Sequence, residues 1–127
     1  QEEILGKREY DLQNKIKMKI LFWNCQGIAN PGNESSFKLL AGKYKPKIIG
    51  ISEPKINSKK LGNLFSSRGY NLQGTNHAVS CPDRIWLLTH HKVDSPIMVD
   101  VDNHIIICRF TEDGKQVFCS IVYAHNY

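Results

Sequence analysis

No apolar run in these 127 residues approaches the roughly 20 residues needed to cross a bilayer, so no membrane-spanning helix is expected and no membrane partner. The four cysteines, Cys25, Cys81, Cys108 and Cys119, show no Cys-x-x-Cys spacing, which leaves out the common zinc ribbons and the thioredoxin-type redox motif. Three of them sit in apolar, strand-like surroundings, where a free thiol packs as a small hydrophobe. The N-terminus lacks the apolar core of a secretory signal, and a reduced intracellular setting is the matching expectation. There is no internal repeat, no low-complexity tract and no run of five like charges. The net charge of +5 comes from 17 basic residues interspersed with 12 acidic ones. Such a surface permits contact with a polyanion but does not by itself identify one.

What is present is an ordinary globular composition, 41% hydrophobic and 23% charged, with enough chain for one domain. Residues 1–17 carry balanced charge and few large apolar side chains, and read as an N-terminal extension or leader ahead of a domain spanning 18–127. From Met18 strand and helix alternate. Met18–Asn24 is almost entirely apolar, as expected of a strand buried on both faces. Asn30-Pro31-Gly32-Asn33 forms a turn cluster, and Ser35 or Ser36 is placed to cap a helix running to Tyr44. Phe37, Leu40, Ala41 and Tyr44 share one face of that helix, and Pro46 ends it. Ile48–Ser52 is a second buried strand, completing a βαβ-like unit. Lys59–Ser67 reads as a weaker helix. Strands follow at Tyr70–Gln73, Ile85–Thr89, Ile97–Val101, His104–Phe110 and Val117–Tyr123. Glu112-Asp113-Gly114-Lys115 joins the last two as a hairpin turn. The sum is an α+β domain with its helices early and its strands late.

Asn24 ends the first strand of this reading and Glu53 ends the second. If the two strands are neighbours, both polar side chains emerge at one sheet edge, where sites are commonly built. Pro54 is expected to hold Glu53 extended and to stop the strand. A carboxylate assisted by an amide suits Mg²⁺, which keeps several waters and needs few protein ligands. Other candidates carry less. His90 and His91 are consecutive in a strand or turn, so their rings are expected on opposite faces. His77 and Cys81 have helical spacing in a segment with no helical character. Trp23 and Trp86 lie inside strands and read as core.

The wording around these strand ends resembles a known family. Ile20-Leu21-Phe22-Trp23-Asn24-Cys25-Gln26-Gly27, then Lys45-Pro46-Lys47-Ile48-Ile49-Gly50-Ile51-Ser52-Glu53, then Val122-Tyr123-Ala124-His125-Asn126, is similar to the endonuclease/exonuclease/phosphatase family. The version here looks most like the endonuclease domain of plant LINE-type retrotransposons, and Arg84-Ile85-Trp86-Leu87-Leu88 resembles a strand of that group. The resemblance implies the N-terminal part of a four-layer α/β-sandwich, with two mixed sheets packed face to face and helices outside. It implies that Glu53 and Asn24 hold Mg²⁺, or Mn²⁺ in its place, and that the Tyr123 hydroxyl meets the phosphate. It puts Asn126 near a nucleic-acid backbone, DNA ahead of RNA, and the setting in the nucleus. Pro54 stands where the family more often has Thr, and Ser52 where it has Gln. The family's later Gly-Asp-x-Asn segment and its Asp–His pair have no counterpart among these residues. A partial, Mg²⁺-dependent phosphodiesterase domain that is inactive by itself is therefore expected. The alternatives are a non-catalytic nucleic-acid-binding remnant, using Lys38, Lys43, Lys45 and Lys47, or a degenerate fragment.

Overall fold

The computed structural model describes residues 19–60, 62–77 and 83–123. Strand β1 (Ile20–Asn24) leads through helix α1 (Asn33–Tyr44) to β2 (Ile48–Ser52), which runs parallel to β1 with Asn24 opposite Ser52. Strands β3 (Tyr70–Thr75) and β4 (Ile85–His90) complete a mixed sheet in the order β1-β2-β4-β3, both of its further pairings being antiparallel. A second sheet holds β5 (Ile97–Val101), β6 (Ile105–Glu112) and β7 (Lys115–Val122), antiparallel throughout.

Side-chain alternation along the central strands builds two cores. Ile48, Ile85 and Leu87 face the second sheet and pack with Ile106, Phe110 and Ile121. Ile49, Ile51, Trp86 and Leu88 face the other way and pack with Phe37 and Ala41 of α1. Gly50 sets how closely the sheets approach, because a Cβ there would stand 3.0 Å from the Ile121 side chain. The layers are thus helix, mixed sheet, antiparallel sheet, the α+β sandwich expected from the sequence. On the outer face of the second sheet, Ile97, Phe118 and Val122 are exposed, with no helix over them among the described residues.

Several local expectations are corrected. Among the described residues β1 is an edge strand, and Phe22 is 56% exposed. Of the two strands expected to be buried on both faces, β2, flanked on both sides, is buried as its apolar run implies. Helix α1 starts at Asn33, before Ser35 and Ser36. Gly32, at φ 88°, stands at the N-cap without a side-chain bond, and Asn33 is spent on the preceding loop. Tyr44 ends α1 as expected but is exposed. Lys59–Ser67 is not an α-helix: single 3₁₀ turns occupy Ser58–Lys60 and Ser66–Arg68, and between them Gly62 has φ 63°. A left-handed residue cannot continue a right-handed helix. The β6–β7 turn matches its expectation closely, with Asp113 (φ 50°) and Gly114 (φ 76°) giving the two positive φ angles of a type I′ hairpin. Residues 1–17, expected as an extension or leader, and Met18, Cys81 and Asn126 lie outside the described residues.

Candidate functional site

The ends of five strands meet at one edge of the sandwich. Asn24 closes β1, and Glu53 follows β2. Arg84 precedes β4, and its carbonyl accepts from the Glu53 N–H at 2.9 Å. Tyr123 follows β7, and its N–H donates to the carbonyl of His104, just before β6, at 2.7 Å. Two of the residues expected at the site, Asn24 and Glu53, therefore leave adjacent strands at one end, as the sequence reading required.

The backbone of Glu53 is not extended. Its φ is 55°, a left-handed value uncommon for a residue with a side chain. The loop after β1 explains how it is held. Gly27 N–H donates to the Glu53 carbonyl at 2.7 Å, and Ile28 N–H donates to the Pro54 carbonyl at 2.9 Å. The Cys25 thiol reaches the same Glu53 carbonyl at 3.4 Å. Burial pushes that thiol's pKa above its ordinary value, keeping it a donor. Asn33 in turn fixes the loop through the carbonyls of Cys25 (2.9 Å) and Gly27 (2.5 Å). These bonds over-determine the turn and override the extended geometry expected before Pro54. The outcome re-aims the Glu53 side chain instead of continuing the strand.

The re-aimed carboxylate of Glu53 meets the hydroxyl of Tyr123, which comes from the other sheet. Burial raises the Tyr123 pKa above 10, and the bond to Glu53 and its negative charge act in the same direction, while Arg84 opposes them. A phenol so placed stays protonated and donates to the carboxylate. Arg84 lies over the Tyr123 ring at 5.3 Å, and His104 stacks on that ring with centroids 6.2 Å apart. Sequence reasoning missed Arg84 and His104 as site residues. The missing signal was register: each precedes a strand that enters the sheets at the end where β2 and β7 leave. Asn24 lines a cleft of about 520 Å³ between β1 and β7, with Ser52, Ser120 and Val122.

The same edge carries a further pair. Asp83, 2% exposed, accepts from the indole N–H of buried Trp86 at 2.9 Å, while its other oxygen meets Nδ1 of His77 at 2.5 Å. The opposite end of the sheet holds what the sequence reading grouped separately. Lys45 and Lys47 precede β2, and Lys47 is 3.6 Å from Glu112. Lys38 pairs with Glu34 at 3.3 Å along α1. Lys45 and Lys47 therefore stand at the far end of β2 from Glu53. His90 ends β4 there, and His91 begins the following turn, which brings their rings to 4.2 Å instead of onto opposite faces.

Among the described residues no three His, Cys, Asp or Glu side chains cluster into a metal cage. Of the donors at this edge, the two assigned to the ion by the sequence reading, Glu53 and Asn24, are a carboxylate and an amide, half-buried and exposed respectively. Hard oxygen donors that leave most of the coordination sphere to water match Mg²⁺ or Mn²⁺ better than a thiolate or imidazole metal.

No protein-family model matches the sequence, and no curated protein matches it. Among solved structures, the chain is similar to the 3′ phosphatase NExo from Neisseria, bound to a product DNA hairpin. The two align with a TM-score of 0.53 and 15% identity, over 80% of this chain and 40% of the neighbour. This chain thus spans less than half the length of that neighbour, with which it shares the two-sheet fold.

Proposed function

We propose that this chain is part of a phosphodiesterase domain of the endonuclease/exonuclease/phosphatase type, acting on nucleic acid with DNA ahead of RNA, and derived from a retrotransposon-like element. The single observation that carries the reading is the meeting of Glu53 and Tyr123 across two sheets, at the edge where Asn24 also emerges. Asn24 and Glu53, singled out as strand ends, and Tyr123, singled out by the resemblance, all leave their strands at this edge. The likeness to a phosphatase bound to DNA supports the substrate class.

In this reading Glu53 holds the ion with its carboxylate and Asn24 assists through its amide oxygen. Mg²⁺ or Mn²⁺, when bound there, neutralises phosphate charge and polarises its oxygens. Tyr123 is a hydroxyl donor that, released from Glu53, turns to a phosphate oxygen. Arg84 keeps the Tyr123 ring in place and adds positive charge beside the anion. Phosphoryl transfer demands charge neutralisation and alignment more than covalent help from the protein, and these residues supply that part. The general base and the water-positioning carboxylate of the resembled family have no match in this sequence.

The expected behaviour of the chain alone follows. Incubated with supercoiled plasmid and Mg²⁺, it nicks no faster than its Glu53→Ala variant. Nicking that depends on Glu53 would show that these residues suffice, contradicting the expectation that the chain is inactive by itself.

A further inference from the structure

Glu53 and Tyr123 belong to different sheets, so their meeting depends on how the sheets are set against each other. The apolar contact between the sheets is non-directional, and the fine setting of two polar side chains calls for a directional bond nearby. Asn76, just after β3, supplies one. Its side chain is fully buried. The Oδ1 atom accepts from the Arg84 N–H at 2.9 Å and from the Ile85 N–H at 3.0 Å. The Nδ2 atom donates to the carbonyls of Asp102 at 3.3 Å and Asn103 at 3.2 Å, in the turn between β5 and β6. Two donors face one end of the amide and two acceptors the other, so its neighbours fix which way it points.

Both ends of this tie lead directly to the site. On the mixed-sheet side, the Arg84 carbonyl accepts from the Glu53 N–H at 2.9 Å, and the Arg84 guanidinium lies over the Tyr123 ring. On the second-sheet side, the Asp102 carboxylate accepts from the N–H groups of His104 (2.8 Å) and Ile105 (3.0 Å), which shapes the turn. The His104 carbonyl then accepts from the Tyr123 N–H at 2.7 Å, and the His104 ring stacks on that of Tyr123. Asn76 therefore bonds the residue that holds the Glu53 backbone and the residue next to the one that holds the Tyr123 backbone. A buried polar side chain with both ends satisfied specifies one arrangement, where apolar packing tolerates several.

We infer that Asn76 is a positioning residue of this site: its bonds hold the mixed sheet and the β5–β6 turn in the setting that brings Tyr123 to Glu53 and Arg84. It acts without touching the ion or the phosphate. The inference rests on the reading above for what the site binds, while the tie itself rests on the bonds of Asn76.

The test uses the full chain and NMR contacts between the Tyr123 ring and the Arg84 side chain, with Tyr123→Phe to assign the ring signals. Asn76→Asp keeps an acceptor for Arg84 and Ile85 but sets oxygen against oxygen at Asp102 and Asn103, opening the tie on the second-sheet side. It is expected to erase the Tyr123–Arg84 contacts. It is also expected to weaken Mn²⁺ broadening of the Tyr123 ring, while the Asn24 side-chain amide, carried by the mixed sheet, broadens as in the wild type. Phe110→Leu thins the same intersheet core at its far end and is expected to lower the melting temperature while keeping the Tyr123 contacts and both broadenings. Should Asn76→Asp not fold, Asn76→Ala, which removes every bond of the amide, takes its place with loss of the Tyr123–Arg84 contacts again expected. Contacts that persist in either folded variant, or that vanish equally in Phe110→Leu, overturn the inference. A chain that folds with neither substitution overturns it too, since Asn76 is then a requirement of the fold. If the wild type shows the contacts but no Mn²⁺ broadening, the reading of the site fails and the Tyr123–Arg84 contacts alone decide the role of Asn76.

Discussion

At the residue scale the account turns on Glu53 and Tyr123, and their contact has a measurable consequence. Tyr123 is shifted upward first by burial and then by the Glu53 carboxylate, with Arg84 pulling down. Glu53→Gln is therefore expected to bring the Tyr123 ionisation back toward 10, and Arg84→Ala to push it further up. Tyrosine ¹³Cζ NMR against pH, with Tyr123→Phe to assign the signal, reads both shifts. Equal titration of Tyr123 in wild type and Glu53→Gln would mean the two side chains do not meet. The linkage has a definite sign: with the folded pKa raised, this group's contribution to stability is full below pH 10 and is lost as pH rises through the folded value. Positions of Asn24 and Glu53 were legible in the sequence because strand ends are marked by the switch from apolar to polar residues. The conformation of Glu53 was not. Pro54 was the only local signal, and it was outweighed by carbonyl bonds from Gly27 and Ile28, more than twenty residues away.

At the element scale, β2 and the β6–β7 hairpin could be read directly, one from a continuous apolar run and the other from Asp113-Gly114. β1 was misjudged as doubly buried, since composition does not reveal whether a strand lies at an edge. β7 is an edge as well among the described residues, and its stretch Val117–Val122 carries no charge. The 2.7 Å bond from Tyr123 N–H to His104 fixes the alternation of the ladder, so Cys119 and Ile121 bond toward β6 while Phe118, Ser120 and Val122 turn their N–H groups outward. An uncharged edge of this kind invites strand-to-strand association. Ser120→Pro removes an outward N–H only. It is expected to reduce self-association in light scattering with the melting temperature nearly unchanged, whereas Cys119→Pro, which removes a ladder bond, is expected to unfold the hairpin. Equal association by wild type and Ser120→Pro would remove β7 from suspicion.

At the scale of the whole molecule, one core is shared between the sheets and the other between the mixed sheet and α1, while Phe22, Phe118 and Val122 remain exposed. A chain with such uncovered apolar faces is expected to melt with poor reversibility and to scatter light as it does so. A cooperative, fully reversible transition of the purified monomer would contradict this. The α+β class was foreseeable from the order of elements, with helix early and strands late, whereas the two-sheet sandwich was what the family resemblance implied. What was not foreseeable is that His104, before β6, and Arg84, before β4 of the mixed sheet, both meet the Tyr123 ring, because that depends on register within and between the sheets. The central claim, that Glu53 and Asn24 hold a divalent ion beside Tyr123, is tested most directly by Mn²⁺-induced line broadening in NMR. The account predicts selective broadening of the Asn24 side-chain amide and the Tyr123 ring, sparing His90 and His91 and abolished in Glu53→Ala. Broadening that is absent, or that persists unchanged in Glu53→Ala, would contradict it.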